Sequence, residues 1–167
     1  MQKACVVKSI ETRIDIAQQT IEVSNGDSVL FHARVSTALN GPGEQNGSEC
    51  TPRGRHIVRA KIGAGCKLNT VFIGRRPSNE IFSESLNQQF PDRDWILTRI
   101  LWLSGCELGI NRLGSVDTMR RYIYIHGCPD GTPMGVPASH GCIRMTNDDI
   151  VTLFDLLPVG ASILITE

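Results

Sequence analysis

The nine residues PASHGCIRM, Pro137–Met145, place a serine, a histidine, a glycine and a cysteine in a row, with an arginine two places further on. Cys142 at their centre reads in three ways: a small buried residue, a metal ligand or a nucleophile. The flanking chain narrows the choice. Downstream lies TNDDIVTLFDLL. Thr146 or Asn147 suits a helix N-cap, and Asp148 and Asp149 suit the positive end of the helix dipole. Ile150, Val151, Leu153, Phe154 and Leu157 form an apolar stripe at helical spacing, closed by Pro158 and Gly160. Ala161–Ile165 then reads as a last strand. Upstream, Gly127–Ala138 carries three prolines and three glycines and reads as a loop. Before it, YIYI (Tyr122–Ile125) reads as a strand with His126 at its end.

Strands dominate the rest. Thr20–Val23 and Val29–Val35 flank Ser24-Asn25-Gly26-Asp27, where Asn-Gly tolerates the positive φ angles of a primed turn, so a β-hairpin is expected. Ser36–Pro52 is rich in Gly, Pro and small polar residues, and reads as a long loop placed to act as a lid. Arg55–Ile62 and Asn69–Gly74 read as two further strands. WILTRILWL (Trp95–Leu103) is apolar almost throughout; the abrupt Ser-Gly break after it favours a buried strand over a short helix. Residues 75–94 show no clear period. The expected fold is mainly β with one or two helices, a single domain over residues 1–167.

Composition sets bounds. The chain has 167 residues, 41% of them hydrophobic, with 17 basic and 17 acidic side chains. That balance offers no argument for nucleic acid or an anionic surface as partner. No stretch is apolar for the ~18 residues of a membrane-spanning helix. The N-terminal apolar run, Ala4–Val7, is cut by Lys8 and falls short of the roughly 7–15 residues of a secretory signal. A cytoplasmic location is therefore expected if Met1 is the natural start, and a periplasmic one if a signal has been removed.

Six cysteines, at 5, 50, 66, 106, 128 and 142, form no CxxC pair. Two His-Gly-Cys triplets stand out, His126-Gly127-Cys128 and His140-Gly141-Cys142. As a buried hydrophobe Cys142 needs no histidines nearby. As zinc ligands the two His and two Cys have the right chemistry, but the H-x-C spacing is tighter than zinc sites use. As a nucleophile Cys142 needs a base to take its proton, and a histidine ending a rigid strand can do so. Consecutive amides of His140, Gly141 and Cys142 can meet an oxyanion. This third reading accounts for the most residues.

His126, twelve residues, then Ser139-His140-Gly141-Cys142-Ile143-Arg144 resembles the signature of the L,D-transpeptidase catalytic domain, the YkuD family. Thr51-Pro52-Arg53-Gly54 resembles its TPxG element, and the order of hairpin, YIYIHG, helix and last strand agrees along nearly the whole chain. The resemblance implies a β-sandwich-like domain acting on peptidoglycan stem peptides. It would cleave between the L-centre of the third residue, usually meso-diaminopimelate, and a fourth D-alanine. By that likeness Cys142 attacks the carbonyl and His126 is the base, oriented by the carbonyl of Gly127. The His140–Cys142 amides form the oxyanion hole. Ser139, His140 and Arg144 support the loop or touch substrate carboxylates. No cofactor and no metal are implied, and carbapenems become candidate inhibitors. The thioester would pass to water (an L,D-carboxypeptidase, favoured on the N-terminus alone) or to an amine (an L,D-transpeptidase). A catalytically inactive or zinc-binding module on the same fold is the reading from a different class. The sequence leaves the oligomeric state and the role of Cys128 open.

Overall fold

The computed structural model describes residues 10–167. Cys5 and the Ala4–Val7 run, on which the location argument rested, lie outside the described residues. Ten strands and two helices follow in order: β1 (Ile10–Asp15), β2 (Thr20–Asn25), β3 (Ser28–Arg34), β4 (Gly54–Ile62), β5 (Thr70–Ile73), β6 (Arg76–Ile81), α1 (Glu84–Gln89), β7 (Leu97–Gly105), β8 (Tyr124–Gly127), β9 (Ile143–Met145), α2 (Asn147–Leu156) and β10 (Ser162–Thr166). The strands join in the order β3-β2-β1-β10-β4-β7-β5-β6, with β8 on β7 and β9 on β8. Most pairs are antiparallel; β1–β10 and β8–β9 are parallel.

Aliphatic side chains of β1, β2 and β10 meet those of β7, β8, β9 and α2 in one core. Ile14, Ile21 and Val23 pack with Leu101, Leu103, Ile125, Ile143 and Met145, and with Ile150, Leu153, Phe154 and Leu157 of the α2 stripe. A bridge between Ser36 and Arg144 links the segment after β3 to β9, and α2 packs on β7 and β8. Thr146 caps α2 as expected: its hydroxyl accepts the Asp149 amide at 3.2 Å and donates to the Asp149 carboxylate at 2.8 Å. That reciprocal bond satisfies an orphan N-terminal donor.

Three details differ from the sequence reading. The β2–β3 turn centres on Gly26-Asp27, since Asn25 pairs with Ser28. Gly26 has φ +61 and the non-glycine residues of the turn stay negative. Glycine alone at the first central position is the II′ pattern, so the turn moves one residue on. The polar stretch after residue 75 supplies both β6 and the short helix α1. The YIYI strand begins two residues late, because Tyr122 sits at φ +56 and cannot join an extended ladder. His126 therefore lies within β8 rather than after it.

β7 confirms the strand reading of WILTRILWL and pairs on one edge with β8 and on the other with β4 and, at Leu97, with β5. Its bulge between Leu97 and Ile100 holds Thr98 at φ +70, an outlier for a β-branched residue.

Candidate active site

The parallel pairing of Ile125 with Ile143, and of His126 with Arg144, fixes which side chains share a face. Successive residues of a strand point to opposite faces. Ile125, Ile143 and Met145 point inward. Tyr124, His126, Cys142 and Arg144 stand together on the outer face, where Cys142 packs against the small cluster of Phe72, Ile100 and Tyr124.

His126 is fully buried. Its Nδ1 lies 2.8 Å from the Gly127 carbonyl, so Nδ1–H donates there and Nε2 keeps its lone pair. Nε2 has no hydrogen-bond partner among the described residues. Burial pulls the imidazole below its ordinary pKa, against the Gly127 carbonyl and the Asp94 carboxylate, which pull it up. Burial of the sulfur pushes the Cys142 thiol up to about 12, against the Tyr124 amide, which lowers it. That amide reaches Sγ at 3.3 Å, and Sγ donates to the Tyr122 carbonyl at 3.4 Å. The resting pair is a thiol and a neutral imidazole with an open nitrogen.

The chain reaches Cys142 through Gly141, whose φ is +128. A Cβ there would come within 3.1 Å of Ile123 and 3.4 Å of the Cys50 carbonyl. The positive φ calls for glycine, and the close Ile123 methyl leaves little room for a side chain. The loop is tied from both sides. Ser139 is buried; its hydroxyl donates to the Cys142 carbonyl at 2.5 Å and accepts the Gly141 amide at 3.3 Å. The Thr51 hydroxyl donates to the Gly141 carbonyl at 2.9 Å and accepts the Ala38 amide at 3.0 Å. Segment 36–52 is thus fastened to the cysteine loop instead of hanging over it. Arg121 completes the fastening: its guanidinium donates to the carbonyls of Gly43, Glu44 and Cys50 and to the Ser48 hydroxyl, at 2.6 to 3.3 Å.

His140 and Arg144 both face Asp94, which the sequence reading did not single out. Arg144 donates to Asp94 at 2.7 Å and to the Ala138 carbonyl at 3.2 Å; His140 Nδ1 stands 3.7 Å from the same carboxylate. Burial pushes the Asp94 carboxyl up, but its electrostatic interactions with His126, Arg144 and His140 and the hydrogen bond from Arg144 outweigh it and hold the group below its usual value. His140 is exposed while Arg144 is largely covered. Asp94 and Arg144 also wall a cavity of about 760 Å3 that includes Trp95, Ala138 and Asp130.

Asn147, the first residue of α2, is a second group that the sequence reading missed. Its amide donates to Asn69 at 2.9 Å, to the Cys128 carbonyl at 3.1 Å and to Asp130 at 2.9 Å, and its oxygen accepts from Thr98. It also presses on Gly127: a Cβ at Gly127 would lie 2.7 Å from both Asn147 Oδ1 and the Leu97 carbonyl. The peptide that orients His126 is therefore clamped on two sides. The only signal for Asn147 in the sequence was its place at the helix start, which fitted a cap equally well.

The two His-Gly-Cys triplets do not converge. Cys128 is buried and its thiol donates to the Met145 carbonyl at 3.2 Å, while Cys142 turns to Tyr122. Among the described residues no group of three His, Cys, Asp or Glu is placed to hold a metal ion.

Residues 11–165 match the family model YkuD, the L,D-transpeptidase catalytic domain. A 43-residue stretch is 49% identical to the Bacillus subtilis protein YqjB, named as an L,D-transpeptidase; it covers 26% of this chain and 24% of that one. In fold the chain resembles an L,D-transpeptidase from Mycobacterium smegmatis, with a TM-score of 0.54 at 19% identity over 95% of this chain and 59% of the other. It also resembles L,D-transpeptidase 3 from Mycobacterium tuberculosis, solved with a faropenem-derived adduct, with a TM-score of 0.57 at 17% identity over 95% and 60%. The chain spans about three fifths of those solved chains.

Proposed function

The chain belongs to the L,D-transpeptidase catalytic domain family, and from that premise we propose that it is a cysteine acyltransferase acting on peptidoglycan tetrapeptide stems. The observation that carries this reading is the open Nε2 of His126, locked in its tautomer by Gly127 and sharing a sheet face with Cys142.

In the proposed reaction the thiol turns from Tyr122 toward Nε2 and gives up its proton as sulfur attacks the carbonyl carbon of the third residue. The imidazole serves as base because burial keeps it neutral. The thiol, held protonated at rest, becomes nucleophilic only as its proton leaves. Amides of the His140–Cys142 loop meet the oxyanion; the Gly141 amide is already engaged at 3.3 Å, so those of His140 and Cys142 carry more of the charge. The C–N bond breaks, Nε2–H protonates the departing amine, and D-alanine leaves a Cys142 thioester. An incoming amine or water then attacks the thioester, Nε2 takes its proton, and the C–S bond breaks to restore the thiol. Ser139 acts as an internal staple of the loop, and Arg144 with Asp94 as a wall of the adjoining cavity.

Family membership and the name of the curated relative favour an amine acceptor, which makes the protein an L,D-transpeptidase. The preference for water rested on Ala4–Val7 and has no further support. Incubating the protein with a diaminopimelate tetrapeptide, with and without excess D-methionine, and following mass tests both points. A methionine-exchanged tetrapeptide that disappears in Cys142→Ala supports transfer. Tripeptide alone in both tubes makes it an L,D-carboxypeptidase, and no Cys142-dependent loss of D-alanine overturns the reading. A carbapenem is expected to add one mass equivalent to the wild-type protein and none to Cys142→Ala.

A further inference from the structure

Arg75 stands at the tip of the β5–β6 hairpin, where Ile73 pairs with Arg76 and the two turn residues, Gly74 and Arg75, have φ +52 and +65. Two positive φ angles make a type I′ turn, an uncommon setting for arginine. The turn folds the side chain back over the outer face. Its guanidinium lies 4.6 Å from the Trp102 ring centre and 4.9 Å from that of Tyr122, and donates to the Tyr124 hydroxyl at 3.0 Å. Two rings and a phenol hold the cation in one place, yet no carboxylate pairs with it among the described residues. Tyr124 takes one of the five N–H groups of the guanidinium, which is built to grip a carboxylate with two at once.

The same two tyrosines touch the nucleophile. The Tyr122 carbonyl and the Tyr124 amide are the groups within 3.4 and 3.3 Å of Cys142 Sγ. Tyr124 and Cys142 stand level on the outer face, and Trp102 faces Tyr124 from β7. Sulfur and cation therefore sit at the two ends of Tyr124, the sulfur on its amide and the guanidinium on its hydroxyl. A stem peptide attacked at its penultimate carbonyl carries its terminal carboxylate carbon three backbone bonds from the attacked carbon, within the ~3.8 Å that one residue spans. A charge-assisted bond adds ~3 Å. The two spans together reach ~7 Å from the attacked carbon toward that cation.

We propose that Arg75 binds the C-terminal carboxylate of the stem peptide and so restricts attack to the last peptide bond. This rests on the reading of Cys142 as nucleophile. One further residue on the peptide would carry the carboxylate ~3.3–3.6 Å past the guanidinium.

The test is calorimetric binding of a tetrapeptide and of its C-terminal amide to the Cys142→Ala protein, with and without Arg75→Met. The acid should bind ten-fold or more tighter than the amide, the range expected for a hydrogen bond to a charged group. Arg75→Met should abolish that ratio, and Arg75→Lys should retain part of it. A loosened hairpin would weaken both peptides alike and leave the ratio unmoved. Equal binding of acid and amide, or a ratio that survives Arg75→Met, overturns the proposal. If wild-type protein still releases D-alanine in a Cys142-dependent way, that result removes Arg75 alone; if it releases none, the nucleophile reading falls first.

Discussion

Strands β8 and β9 serve two regions at once. Their inner face, Ile125, Ile143 and Met145, is fully buried and purely apolar. Their outer face carries Tyr124, His126, Cys142 and Arg144, and within it an imidazole nitrogen buried without a partner among the described residues. A buried polar atom left unpaired costs about 1–3 kcal/mol. The inner face stabilises; the outer face keeps an unsatisfied group in place at the expense of stability. A pleated strand makes this division possible because adjacent residues never share a face. The inner aliphatics anchor the backbone, and the backbone positions the chemistry.

Substitution should separate the faces cleanly. Cys142→Ala and His126→Gln are expected to lower turnover by roughly three orders of magnitude or more, while thermal unfolding shifts little. Ile125→Ala should do the reverse, losing about 2–5 kcal/mol as a large-to-small core change with kcat retained in the folded fraction. Denaturant unfolding and steady-state rates on the same three proteins check the division. Retained turnover in Cys142→Ala, or loss of kcat without loss of stability in Ile125→Ala, would break it.

Gly127 is where the faces meet, and it sharpens the comparison. Its carbonyl orients His126, while its α-carbon is pinned between Leu97 and Asn147. Gly127→Ala should therefore damage both properties: unfolding at lower denaturant, by an overpacking cost of about 1–3 kcal/mol, and a fall in kcat well beyond ten-fold. Asn147→Ala should act in the same direction but less, about ten-fold in kcat with KM near wild type. If Asn147→Ala lowers stability and leaves kcat untouched, the clamp is structural only.

The legible parts of this architecture are those where neighbours in sequence are neighbours in space. The α2 cap and stripe, the β2–β3 hairpin and the β7 strand follow from local spacing. Gly141 and Cys142 stand out for the same reason. Asp94, Asn147, Thr98 and Arg75 do not, because each matters through a partner distant in sequence: Arg144 for Asp94, Tyr124 for Arg75. The 75–94 stretch has no hydrophobic period, so its strand, helix and charged corner were invisible in advance. Segment 36–52 looked like a lid by composition. What fixes it is Arg121, a residue 71 places from the Cys50 carbonyl it holds.

A second pair of regions, the settings of His56 and His126, supplies the most discriminating effects. Both histidines are fully buried. His56 is satisfied at both nitrogens, by the Gly54 carbonyl and the Thr118 hydroxyl at 3.0 Å each, and burial lowers its pKa from 6.5 to about 4. As pH falls from 6.5 to 4 the unfolded chain takes up a proton that the folded one refuses. Stability present above 6.5 is lost across that window, by ~3 kcal/mol at about 1.4 kcal/mol per unit. His56→Gln should flatten that part of the stability profile and leave the rate profile unchanged.

His126 should appear in the rates instead. Its pKa is also lowered by burial, so the acid limb of kcat/KM should lie below the ordinary imidazole value. The Asp94 carboxylate opposes that shift, so Asp94→Asn should move the limb further to acid. The His56→Gln protein, carrying an intact Asp94, should not. A limb at or above pH 6.5, or one that Asp94→Asn moves toward alkali, would mean that the open nitrogen of His126 is not the base.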